Sequence, residues 1–145
     1  MRKSSPNPKP ARTNNRLTTT AGAFPLFALK PQSYPVILLS ALPDVASAEE
    51  LADALVGAHL AACVNIFPEM RSVYFWQGEI LREKEVKVFV KTSSEVAAAA
   101  VTFIKARHPY SAPEITTIGK NGDVDMHPDY WAWLTAYVGS ADATK

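Results

Sequence analysis

The stretch from Ala62 to Thr92 constrains this chain more than any other. Ala62-Cys63-Val64-Asn65-Ile66-Phe67 alternates toward Pro68, Ser72-Val73-Tyr74-Phe75-Trp76 is β-branched and aromatic, and Ile80 to Thr92 returns after Gln77-Gly78. Such side chains suit a pleated, half-buried surface, and Gln77-Gly78 supplies a tight turn, so a long hairpin is expected. Only Pro68-Glu69-Met70 separates the first two runs, which is compatible with one long strand bent at the proline. Side chains alternate along a strand, so Val86, Val88 and Val90 fall on one face of the returning strand and Lys87, Phe89 and Lys91 on the other. One face belongs to a core and the other is partly open.

The remaining punctuation is regular. Val36-Ile37-Leu38-Leu39, between Pro35 and Pro43-Asp44, reads as a buried strand. Ser47-Ala48-Glu49-Glu50 forms an S-x-x-E capping box that opens a helix running to about His59. Ser93-Ser94 cap a second helix, Glu95 to Arg107, whose Val96/Ala100/Phe103 and Ala97/Val101/Ile104 rows make a broad apolar stripe. His108-Pro109 ends it. Glu114 to Ile118 is a further strand and Asn121-Gly122 a turn. Pro128 takes the first position of a terminal helix carrying Tyr130, Trp133, Leu134 and Tyr137. The order β-α-β-β-α-β plus a C-terminal helix predicts the α+β class, in the ferredoxin-like split βαβ arrangement. Many activities share that fold, so function has to come from particular residues.

At 145 residues, 48% of them hydrophobic, the chain suits one domain with a real core, and no apolar run approaches the roughly 18 residues of a membrane span. Residues 1–33 hold six basic residues, no acid and five of the eleven prolines, without a hydrophobic period. They read as a disordered or processed extension. A globular domain is expected over residues 34–139, with a flexible tail over 140–145. Beyond residue 33 the chain carries nine basic against fourteen acidic residues, which argues against nucleic acid as a partner. The single cysteine excludes an intramolecular disulfide framework and CxxC motifs. Cytoplasm is the expected location, or an organelle if the extension is a transit peptide.

The chemistry on offer is sparse, with no HExxH, GxGxxG, Walker A or GxSxG motif. Cys63 reads as a buried small hydrophobe without a basic neighbour nearby in sequence. His59 reads as an exposed residue at a helix C-terminus, and His127 as part of a solvated acidic loop. His108, Tyr110 and Glu114 lie in a loop stiffened by Pro109 and Pro113, which brings an imidazole, a phenol and a carboxylate near one another, either as a structural joint or as a binding site. Trp76 and the Tyr130/Trp131/Trp133/Tyr137 set suit packing or a subunit interface.

Taken in order, Ala61-Ala62-Cys63-Val64-Asn65-Ile66 with Pro68, Ser72-Val73-Tyr74-Phe75-Trp76-Gln77-Gly78, Val90-Lys91-Thr92, His108-Pro109-Tyr110-Ser111-Ala112-Pro113-Glu114 and Tyr130-x-x-Trp133 resemble the CutA divalent-cation-tolerance family over residues 36–138. The resemblance implies a ferredoxin-like subunit in a tight homotrimer, similar in build to the PII signalling proteins, with edge strands of the long hairpin paired between subunits. It also implies copper or other divalent-metal tolerance. Copper binding is assigned in some members to a cysteine in the first strand and two histidines before the Pro-Tyr. Those positions here read Ser40, Arg107 and His108, which leaves His108 as the one metal ligand and implies a weak Cu(II) site.

The leading expectation is a non-enzymatic homotrimer that binds a divalent metal or a small anionic ligand at intersubunit clefts lined by Lys91, Tyr110, Glu114 and Trp76. A second reading is an enzyme using Lys91, Tyr110 and Glu114 as an acid–base group on a small substrate. A third is a PII-like signalling or adaptor protein built on the same trimer.

Overall fold

The computed structural model describes residues 32–140. The expectations for an N-terminal extension and a C-terminal tail fall almost entirely outside these residues. The elements are β1 (Pro35–Leu42), α1 (Val45–Gly57), β2 (Cys63–Trp76), β3 (Glu79–Ser93), α2 (Ala97–Arg107), β4 (Thr116–Ile118) and α3 (Pro128–Tyr137). One antiparallel sheet has the order β2-β3-β1-β4. That order is the split βαβ arrangement, in which β3 separates the two strands joined through α1.

The core follows from alternation. Val36, Leu38 and Leu42 of β1 and Val86, Val88 and Val90 of β3 point to the side where Leu51 and Leu55 of α1 and Ala100 and Ile104 of α2 pack. Each of these side chains leaves water almost completely, contributing roughly 1.5–3 kcal/mol for a Val or Leu. The opposite face, with Ile37, Leu39, Lys87, Phe89 and Lys91, is only half-buried.

Two helix starts differ from the sequence expectation. Asp44, not Ser47, caps α1: its Oδ1 accepts from Ser47 N–H at 2.7 Å, while Ser47 Oγ donates to Asp44 O at 3.1 Å. Asp, Asn, Ser and Thr compete for this position, and the one at the first non-helical residue wins. The accepted hydrogen bond holds the Asp44 carboxyl below its ordinary value. α2 begins at Ala97 with no side-chain cap, because Ser94 Oγ instead accepts from Tyr34 N–H at 3.1 Å and ties the start of the domain to the end of β3.

β2 is one strand, as the bend at Pro68 allowed. Phe67 pairs with Lys87 and Met70 with Glu85, so Pro68 and Glu69 stand opposite Val86 alone, and Glu69 takes a positive φ of 61°. This bulge switches the parity of β2. Beyond it Met70, Ser72, Tyr74 and Trp76 share a face with Glu85, Glu83, Leu81 and Glu79. β1 pairs with β3 only as far as Val86, so residues 70–85 project beyond the sheet as a two-stranded arm. Gln77 and Gly78, both at positive φ, close it.

Candidate functional site

The loop after α2 crosses the end of β1, pinned there by two hydrogen bonds and braced by a third within the loop. His108 Nδ1 accepts from Tyr110 N–H at 3.1 Å, which leaves the proton on Nε2 to donate to Ala41 O at 2.9 Å. Buried Ser40 donates from Oγ to Glu114 O at 2.7 Å. Burial is the main reason the His108 imidazole sits below its ordinary pKa, opposed by the Ala41 carbonyl and the Glu85 charge. The ring is thus a neutral clamp that fixes the loop against β1.

The clamp sets Tyr110 over the root of the arm. Its hydroxyl donates to Glu85 Oε1 at 2.9 Å, and burial followed by the Glu85 contact pushes the phenol well above its ordinary range. Beside it Tyr74 donates from its hydroxyl to Glu83 Oε2 at 2.7 Å, and that bond raises the phenol likewise. Loop and arm together enclose a cavity of about 550 Å³, whose walls include Ser72, Tyr74, Trp76, Glu85, Tyr110 and Glu114. Sites for small molecules are usually of this size.

Trp76, Tyr110 and Glu114 therefore meet as the sequence suggested, but Lys91 does not join them within the subunit. Lys87 does. It pairs with Ala41 in the β1–β3 ladder and forms an ion pair with Glu114. Lys91 lies four residues farther along the strand, roughly 13 Å away. There it faces Cys63, its partner on β2, with Nζ 4.0 Å from Sγ and 5.7 Å from the Tyr130 ring centre. Cys63 is half-buried rather than a core residue, and its basic neighbour comes from the next strand, where local sequence does not show it. The Tyr130 hydroxyl beside it is buried with no hydrogen-bond partner, and burial first, then Cys63, pushes it up to about 12.

The other histidines also find places. His59 is half-buried, stacked on Tyr137 at 4.2 Å with Nδ1 3.0 Å from Tyr137 O, so it joins α1 to α3 instead of standing free. His127 is exposed, and Nδ1 accepts from Asp129 N–H at 3.3 Å as the cap of α3.

The residues at the positions compared with copper ligands are engaged otherwise within the subunit. Ser40 is committed to Glu114 O, the Arg107 guanidinium lies over Phe103 at 4.2 Å, and both His108 ring nitrogens are engaged. Among the described residues no three His, Cys, Asp or Glu side chains converge on a common point.

Nothing in the local pattern singles out Glu85, Tyr74 and Lys87 as neighbours of this cavity. The register shift at Pro68-Glu69 is the signal that places Tyr74 and Glu85 on one face, and sequence shows the bend without its register. Lys87 and Lys91 share a face, so only the path of the 108–114 loop decides which of them meets Glu114.

A four-stranded antiparallel sheet with two helices on one face, a projecting arm and a walled cavity at its root defines a small α+β protein of the split βαβ type. The model of a family described as CutA1 divalent ion tolerance protein matches residues 36–137, and the chain belongs to that family. The divalent-cation tolerance protein CutA of Pectobacterium atrosepticum is 36% identical over 107 residues, covering 74% of this chain and 94% of that one. Its counterpart in Yersinia pestis is 38% identical over 105 residues, covering 72% and 85%. Among solved structures, the divalent cation tolerance protein from Thermus thermophilus superposes with a TM-score of 0.67 at 35% identity, covering 72% of this chain and 99% of that one. CutA1 from Oryza sativa gives 0.68 at 27% identity, covering 74% and 95%.

Proposed function

We propose that this divalent-cation tolerance protein is a non-enzymatic binding subunit that works as a homotrimer, with the cavity between the arm and the 108–114 loop as its ligand site. The observation that carries the reading is the convergence of Trp76, Tyr110, Glu85 and Glu114 on one concave surface held by the His108 clamp. Assembly is supported by the arm, whose far face leaves Val73 62%, Phe75 71% and Ile80 62% exposed. Apolar side chains grouped on a two-stranded arm need a partner surface, and a second copy of the chain is the cover that family resemblance implies. Neighbouring copies would also be the source of Lys91 at the cleft.

The acid–base enzyme reading lacks its lysine within one subunit, where Lys91 stands with Cys63 and Tyr130, so it too needs Lys91 from a neighbouring copy. The PII-like signalling or adaptor role keeps the same trimer and site. Cu(II) or another divalent ion at His108 would have to displace either the Ala41 carbonyl or the Tyr110 N–H, so its binding is weak in this reading. A reducing compartment such as the cytoplasm suits the free thiol of Cys63.

A thermal-shift series across divalent metals and common metabolites tests the site, because a ligand that binds only the folded state raises the melting temperature. The expected result is a shift that Tyr110→Ala abolishes. A ligand whose shift survives both Tyr110→Ala and Trp76→Ala would place binding elsewhere.

A further inference from the structure

Glu85 is a carboxylate in the cavity wall with no basic partner among the described residues of the subunit. Its side chain lines the cavity, the residue is only 8% exposed, and its one hydrogen bond comes from the neutral phenol of Tyr110. A carboxylate largely shielded by protein but facing a cavity attracts an entering cation more strongly than a carboxylate in bulk water does. Among the described residues no basic group forms a salt bridge with it. The nearest candidates in the strand are committed elsewhere: Lys87 holds Glu114, and Lys84 holds Glu69 at 3.2 Å on the other face of the arm. Glu83, on the same face as Glu85, adds negative charge and has only Tyr74 as a partner. The cavity is therefore electronegative, and its other walls combine the aromatic rings of Tyr74, Trp76 and Tyr110 with small residues, the serines Ser72 and Ser111 among them.

This combination discriminates among ligand classes. Within the subunit an anion would meet Glu85 and Glu114 with no free cation among the described residues to receive it. A resident metal ion would want three or more converging donors, and no such group of His, Cys, Asp or Glu exists among the described residues. An organic ammonium matches both features at once, since its charge can sit against a carboxylate while its carbon body lies on aromatic faces, where the ring quadrupole also attracts the cation.

We propose that the cavity selects a small organic ammonium ion, with the nitrogen against Glu85 and the hydrocarbon part against Trp76 and Tyr74. The proposal rests on the cavity being the ligand site and specifies what it takes. A free amine and a lysine side chain from a second copy share the same chemistry, so the test has to separate them.

The probes are benzylammonium and its uncharged counterpart benzyl alcohol, titrated calorimetrically into the full chain with inorganic phosphate and Zn(II) in parallel. Benzylammonium should bind at least ten-fold more tightly than benzyl alcohol. Glu85→Gln, which keeps the shape and a hydrogen-bonding oxygen for Tyr110, should remove that preference, and Trp76→Leu on the exposed arm should weaken both probes. Equal binding of the two probes, or a preference that survives Glu85→Gln, overturns the proposal. No benzylammonium binding, together with a loss of assembly mass in Glu85→Gln by light scattering, also overturns it and assigns the counter-ion to another copy. If phosphate or Zn(II) binds in a Trp76- and Tyr110-dependent manner and benzylammonium does not, the site reading stands and the ammonium selectivity falls. If none of the four probes responds to these substitutions, both fall.

Discussion

The two ends of β3 both carry apolar side chains and meet different fates. From Val86 to Ser93 the inward valines are sealed beneath α1 and α2, whereas from Glu79 to Lys84 the same strand runs beyond the helices with Ile80 open to solvent. β2 shows the same division across its bulge. A hydrophobic period thus specifies a face that must be covered, but the cover can be the chain's own helices or another molecule. Glu85 stands at the boundary, where the sheet ends and the loop from α2 closes over it.

The sharpest way to break this comparison is to cut into each end. Leu38→Ala, beneath the helices, should lower stability in urea melts by about 3 kcal/mol, the usual range for such a cavity being roughly 2–5 kcal/mol. This loss should not depend on protein concentration. Phe75→Ala in the arm should cost less, and its cost should shrink toward zero as the protein is diluted below its assembly range, because the side chain is exposed in the single subunit and only a second copy would cover it. Equal and concentration-independent losses would mean that the two ends do not differ.

Next in size is the effect on assembly itself. Phe75→Asp combined with Ile80→Asp should convert a trimer to a folded monomer, with circular dichroism unchanged and mass read by light scattering. A wild-type chain that is already monomeric at micromolar concentration removes the trimer and the role given to neighbouring Lys91.

A smaller effect follows from the His108 clamp. Its folded-state pKa lies below the ordinary 6.5, so the native protein binds fewer protons than the unfolded chain between those two values. The clamp's contribution is present above about pH 6.5 and declines as pH falls from there through the depressed folded value. His108→Gln should flatten that part of the pH–stability curve, while His127→Gln, in the exposed loop, should leave it unchanged. A His108→Gln curve that parallels wild type would show that the imidazole does not clamp the loop as a neutral ring.

The smallest expected signal is metal. Cu(II) titration should show weak binding that His108→Ala reduces and Arg107→His strengthens. Tight binding that is unchanged in His108→Ala would place the ion elsewhere.

Sequence alone determined the elements and their order, because hydrophobic period, Gly-containing turns and prolines act over a few residues. It exposed the long hairpin, the bend at Pro68 and the terminal helix begun at Pro128, and it singled out Trp76, Tyr110 and Glu114, which the fold brings to one cavity. Tertiary structure decided what depends on register and on which surfaces meet. Asp44 rather than Ser47 caps α1, because the cap is set by where the backbone leaves the helix. Lys87 rather than Lys91 joins Glu114, because the loop crosses the Ala41 end of β1. Cys63 finds its lysine across a strand pair 28 residues apart in sequence. Tyr74 and Trp76 share a face with Glu85 only because a bulge inserts one residue into β2 and shifts which faces align. Charges and hydrogen bonds act through space over a few ångströms, so their partners exist only once distant segments have been brought together.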